Sequence, residues 1–222
     1  MINPGWLWYI CLPSQKSYTS DKFNMRKILK IIFIAYVLSG CSEKKTELLD
    51  FPNTRQSLDY SCGPSAVQAV LAYYGEDFRE SELIGLLKTA KDEGTYIKDI
   101  VEFLHYQGFS TREKHKMTTD ELFRYIDRNI PVIVLIQAWG SEQDFKNHYR
   151  DCWNDGHFVV VIGYTGKNVL ISDPALFNVG YIPVSEFVDR WHDMDEVKTY
   201  QLGIAVYGKT PKFIQEELGR IK

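Results

Sequence analysis

Cysteine, net positive charge and long apolar runs are all scarce in this chain. Its 222 residues hold four cysteines, too few for the disulfide framework that props up a small exported domain lacking a full core. Positive charge is not in surplus: 26 Lys and Arg face 29 Asp and Glu, for a formal net charge of -3. That excludes a nucleic-acid binder relying on a basic field. No Gly-x4-Gly-Lys-Ser/Thr loop occurs, so no ATP partner is expected. The histidines at 105, 115, 148 and 192 show no paired spacing with cysteines or carboxylates, so neither a metal nor another cofactor is expected. Internal repeats and low-complexity segments are missing as well. What remains is 45% hydrophobic, enough for one full-sized core but not for two, so one folded domain is expected.

The N-terminal region carries an export pattern. From Met25, the basic residues Arg26, Lys27 and Lys30 precede a short apolar run, Ile31 to Leu38, and then Leu38-Ser39-Gly40-Cys41. That run falls far short of the ~20 residues a membrane-crossing anchor needs, and a cleaved signal fits it better. The last four residues resemble the lipobox of bacterial lipoproteins. By that resemblance residues 25–41 are a lipoprotein signal peptide, with Cys41 lipidated as the mature N-terminus. The protein would then sit in the cell envelope, tethered to the membrane by its lipid and facing the periplasm or the exterior. Residues 42–48 read as a charged tether and 49–222 as the domain. Residues 1–24 have no clear period and are expected to be an over-extended start or an unstructured extension.

With Cys41 given to lipid, Cys62 and Cys152 remain, and no structural disulfide between them is expected. Cys152 lies in a polar, aromatic stretch, Tyr149 to Asp155, and reads as a small packing residue of a loop. Cys62 is different. It precedes a segment with apolar residues at helical spacing, Ala66, Val67, Ala69, Val70 and Tyr73, where the helix dipole and unpaired amides favour a thiolate.

Three more helices follow, at 81–91, at 96–107 with Thr95 as N-cap, and at 119–129. The pattern then turns to strands: 131–137, 157–164, 168–172, 180–183 and 199–207, with one helix at 185–191 between the last two. Helices first and a mainly antiparallel sheet second make an α+β fold.

Gly156-His157-Phe158 opens one apolar strand and Ser172-Asp173-Pro174 closes the next. A nucleophilic thiol needs a base and a group to orient that base, and Cys62, His157 and Asp173 supply these types. The oxyanion formed on attack needs two donors, for which the Cys62 backbone N–H and the Gln56 side-chain amide are the candidates. The pleat adds a condition. His157 and Asp173 share a sheet face only if the hairpin joining their strands has an odd loop or a bulge, because a regular two- or four-residue hairpin points them apart.

The run from Gln56 to Cys62-Gly63-Pro64-Ser65-Ala66, the block Gly156 to Tyr164 and the pair Asp173-Pro174 together resemble the bacteriocin-processing, double-glycine-leader cysteine peptidases and their C39-like stand-alone relatives in the papain-like clan. The resemblance covers roughly Asp50 to Tyr207 and includes the Gly94-Thr95 pair and Gly108. It implies a papain-like peptidase fold, with Cys62 as nucleophile, His157 as base, Asp173 as orienter and Gln56 in the oxyanion hole. It also implies a peptide or protein substrate and a thioester acyl-enzyme. The transporter and ATPase regions usual in the processing enzymes have no counterpart here. In the insert from Ala138 to Asp155, the residues Trp139, Trp153 and Asp155 are candidates for the cleft wall. An amidase or acyl transferase of the same fold, or a non-catalytic peptide-binding lipoprotein, remain as alternatives.

Overall fold

The two most apolar stretches become the middle of a sheet. β3 (Val132–Gln137) is buried at every position and β4 (Gly156–Tyr164) at all but its ends, which requires cover on both faces. The computed structural model describes residues 46–141, 143 and 149–214, all within one compact unit, Glu43–Lys222. The expected signal peptide, Cys41 and the segment 1–24 lie outside the described residues.

The helices are α1 (Cys62–Tyr73), α2 (Glu80–Leu86), α3 (Ile97–Tyr106), α4 (Thr119–Ile126) and α5 (Val184–Arg190). In α1 the apolar residues recur every three to four positions and are buried where the helix packs on β4. A Thr118–Glu121 capping box starts α4, an arrangement worth about 1 kcal/mol. Gly75 and Gly108 end α1 and α3 at φ values of 80° and 81°, which a side chain would oppose.

The sheet also contains β1 (Glu47–Leu48), β2 (Ser110–Lys114), β5 (Asn168–Ser172), β6 (Gly180–Pro183) and β9 (Gly203–Tyr207). Its seven strands run in the order β2-β9-β3-β4-β5-β6, with β1 added to β4, and every pairing is antiparallel. The ribbon of β7 (His192–Met194) and β8 (Lys198–Tyr200) stands apart as a second sheet. This is the α+β arrangement expected from the order of patterns.

Several boundaries differ from the sequence reading. α2 stops at Leu86 rather than 91, and α4 at Ile126 rather than 129, because Lys88 and Asn129 turn to positive φ. The expected strand 199–207 is split at Gln201, also at positive φ, into β8 and β9 of different sheets. β2 escaped notice because Ser-Thr-Arg-Glu-Lys has no apolar alternation. As an edge strand it needs only backbone pairing with β9. Glu47 and Leu48, assigned to the tether, are already part of the sheet. Thr95 is not the N-cap of α3: Tyr96 holds that position without a side-chain bond, and Asp195 from the distant ribbon accepts from Ile97 N at 3.2 Å.

Candidate active site

Cys62 is the first residue of α1 and is partly exposed. Ser61 precedes it as N-cap, but its hydroxyl turns back to Leu58 O at 2.8 Å and caps no helix amide. Pro64 has no N–H to satisfy in this first turn. Gly63 is required by a close approach: a Cβ there would lie 2.6 Å from Thr95 Oγ1, and that hydroxyl is held by Thr89 at 2.8 Å. The residue after the thiol thus lets the α2–α3 connection pack directly against the start of α1.

His157 and Asp173 come from adjacent strands. Beside their connecting turn the register pairs Tyr164 with Val169 and Gly163 with Leu170, whereas beyond it Val161 pairs with Ile171 and Val160 with Ser172. One residue of β4 is therefore extra, a bulge between Val161 and Gly163. The turn itself is tight, with Thr165 N donating to Asn168 O at 2.8 Å. Without the bulge this register would set His157 and Asp173 on opposite faces. With it they meet, and His157 Nε2 and Asp173 Oδ1 are 2.7 Å apart.

The imidazole is 1% exposed. Burial acts to lower its pKa, but the bond to Asp173, the neighbouring Cys62 thiol and the charges of both outweigh burial and raise it to about 9. Asp173 is held below the usual carboxylate range: burial raises it, while His157 and the Ala175 backbone N–H, donating at 2.8 Å, lower it further. The second ring nitrogen, Nδ1, is buried with no hydrogen-bond partner among the described residues. With Nε2 committed to Asp173, Nδ1 is the nitrogen left for the thiol. Trp139 covers the ring, with centroids 4.5 Å apart.

Gln56 reaches the same place along a loop tied to the Asp173-Pro174 turn, its backbone N–H donating to Pro174 O at 3.0 Å. Arg55 stacks over Phe177 at 3.8 Å, and Asn53 bonds the Phe177 carbonyl, so the two loops are clamped together. The Gln56 amide donates to Leu58 O at 2.9 Å through Nε2, while its Oε1 is buried and without a partner. An amide nitrogen has two hydrogens, so one stays available.

Two cavities flank these groups. One of about 530 Å³ is bounded by Gln56, Leu58, Asp59, Trp139 and Ala175. The other, about 210 Å³, opens on Cys62 and is bounded by Thr95, Tyr96, Gly156, Asp193 and Asp195 among others. Of the three candidates for the cleft wall, only Trp139 lines either cavity. Trp153 packs instead on His192 and Tyr200 of the ribbon, at 4.6 and 5.4 Å between centroids, with Lys198 over its face. Asp155 meets Gln137 and Ala138 through its backbone. Cys62 and Cys152 are not bridged to one another. Among the described residues, no group of three or more His, Cys, Asp or Glu side chains is arranged to hold a metal ion.

Sequence reading missed a buried polar set behind His157. Gln137, wholly buried, donates to Asp193 Oδ1 at 2.7 Å and accepts from Asp155 N at 3.1 Å. Asp193 in turn presses on Gly156, where a Cβ would collide with its Oδ2. A polar residue closing a buried apolar strand was the available signal for Gln137. For Asp193 no local pattern existed.

Comparison with known proteins agrees with this geometry. An uncharacterised protein of Methanothermobacter marburgensis is 28% identical over 134 residues, covering 60% of this chain and 79% of that protein. The peptidase domain of Streptococcus ComA, a bi-functional ABC transporter involved in a quorum-sensing pathway, superimposes with a TM-score of 0.54 at 25% identity, over 71% of this chain and 98% of that domain. A putative C39-like peptidase from Bacillus anthracis gives 0.58 at 17% identity, over 76% of this chain and all of its own. The fold is papain-like, of the C39 peptidase type. A family model for the Peptidase C39 like family matches residues 48–199, most of the chain, and this protein belongs to that family of cysteine peptidases.

Proposed function

We propose that this protein is an exported, lipid-anchored cysteine peptidase that hydrolyses peptide bonds through Cys62, His157 and Asp173, with Gln56 completing the oxyanion hole. The observation that carries the reading is the buried imidazole: one nitrogen is bound to Asp173 at 2.7 Å and the other is unpartnered beside a thiol at a helix N-terminus. That is the division of labour an acyl-transfer base needs.

His157 Nδ1 takes the Cys62 proton as sulfur attacks the scissile carbonyl. The carbonyl oxygen becomes an oxyanion, held by the Cys62 N–H and the second hydrogen of the Gln56 amide. The C–N bond breaks, Nδ1 returns the proton to the leaving amine, and a thioester remains. Water then attacks it, giving a proton to Nδ1. The C–S bond breaks, the acid departs and the thiol regains its proton.

Membership of a peptidase family and likeness to the ComA peptidase domain support the peptide substrate. Lipid attachment at Cys41 and an envelope location rest on the sequence pattern alone, and the Cys41→Ala variant tests both: it is expected to lose labelled fatty acid and membrane retention. For the chemistry, Cys62→Ala is expected to abolish cleavage of a peptide library. Persistent cleavage by that variant would remove Cys62 from the mechanism. A competing amine distinguishes hydrolysis from acyl transfer, since a dominant amine adduct would favour a transferase.

A further inference from the structure

The cavity that opens on Cys62 carries three carboxylates, those of Glu93, Asp193 and Asp195, and neither Lys nor Arg lines it. Its standing as a ligand site does not come from those acids. It is the space in front of a thiol whose base, buried and with Nδ1 unpartnered, sits behind it, so a scissile carbonyl must enter there. We propose that this cavity binds a cationic side chain, lysine or arginine, in the acyl half of the peptide substrate, the half that becomes the thioester. The proposal rests on the peptidase reading above and adds its substrate class.

The side of the scissile bond follows from the general acid. His157 must reach the leaving nitrogen, so the leaving half lies on the side of His157 and of Trp139, which covers it. That is the cavity of Gln56 and Trp139. The acidic cavity includes Cys62 but neither His157 nor Trp139, and so receives the acyl half.

Each carboxylate is held in place and keeps lone pairs to offer. Tyr96 OH donates to Glu93 at 3.0 Å, Ile97 N to Asp195 at 3.2 Å, and Gln137 Nε2 to Asp193 at 2.7 Å. The nearby lysines are engaged elsewhere: Lys98 pairs with Glu196, and Lys198 lies over Trp153. Burial pushes the Asp193 carboxyl up, and the Asp195 charge adds to this, against the lowering by the Met194 N–H and Gln137. A cation in the cavity would relieve both. The acids do not converge as metal ligands would, which leaves an organic cation on a long arm. Tyr96 and Met194 flank the cavity and suit the apolar stem of such a side chain.

The test uses the full chain and peptidyl aminomethylcoumarin amides, in which the peptide is the acyl half. Peptides differ only by lysine, norleucine or glutamate at the last residue or the one before it. The expected result is a kcat/KM for lysine above norleucine on the order of tenfold at one of these positions, with glutamate lowest. The lysine-to-norleucine ratio should fall toward one in the rim variants Glu93→Gln and Asp195→Asn, which leave the buried Asp193 untouched. Equal or better cleavage of norleucine peptides, or a ratio unchanged in both variants, would overturn the subsite while leaving the peptidase standing. If no peptide is cleaved although Cys62 is alkylated by iodoacetamide, the peptidase reading falls and takes the subsite with it.

Discussion

His157 and Asp173 meet at 2.7 Å because β4 holds one residue more than β5 across their shared ladder. The tight turn at Gly166-Lys167 sets a register that would point the two side chains apart. The bulge between Val161 and Gly163 reverses the parity of everything beyond it, so the dyad depends on an irregularity in the most deeply buried strand.

The first prediction concerns pH. His157 is raised to about 9 from an ordinary 6.5 even though burial alone would lower it, so Asp173→Asn lets burial win and the pKa falls. The alkaline limb of kcat/KM, expected near pH 9 in the parent, should move to lower pH in the variant. Stability follows the same sign. A raised imidazole contributes fully below its unfolded pKa and loses that contribution as pH rises through about 9. The parent's Tm should therefore fall between pH 6.5 and 9, and the variant's should fall less. Asp173 works the other way: its lowered pKa stabilises above 3.8, and that contribution is lost as pH drops through the folded value.

Thiol reactivity gives a second prediction. A neutral alkylating agent should label Cys62 much faster than Cys152 near pH 7, as read by mass spectrometry of the digested protein. His157→Ala should erase the difference. Similar rates for the two thiols in the parent would count heavily against Cys62 as the nucleophile.

Gln56→Ala should lower kcat by about 10²–10³ with a smaller change in KM, the signature of a donor used mainly in the transition state. A change confined to KM would assign Gln56 to substrate binding instead. The loop is anchored by the backbone bond to Pro174, so Tm should change little.

Packing around the thiol can be probed without touching it. In Gly63→Ala the new methyl group meets Thr95 at 2.6 Å, an overpacking expected to cost about 1–3 kcal/mol by denaturant unfolding and to displace Cys62. Adding Thr95→Gly should recover part of the activity. Strict additivity of the two losses would show that the contact is not the cause.

Much of this was legible in the residues. The continuous apolar runs at 132–137 and 156–164 could only be strands buried on both faces, and a cysteine before a helical pattern marks a first turn. Those inferences need only period and composition. Trp139 and Trp153 show where such reading stops. Both lie in one insert with similar neighbours, yet one covers His157 and the other packs on the ribbon at His192. Nothing local separates them, since the choice depends on where β7 and β8 lie in space.

The sequence by itself determined which groups were available, a thiol at a helix start, a histidine and an aspartate at the ends of apolar strands and an upstream amide, because helix and strand periods are local properties. Only the tertiary structure decided that His157 and Asp173 face each other, that Gly63 admits Thr95, and that Asp193 enters the cavity from a ribbon far along the chain. Strand register changes parity with a single residue, and long-range packing brings together side chains that share no local pattern.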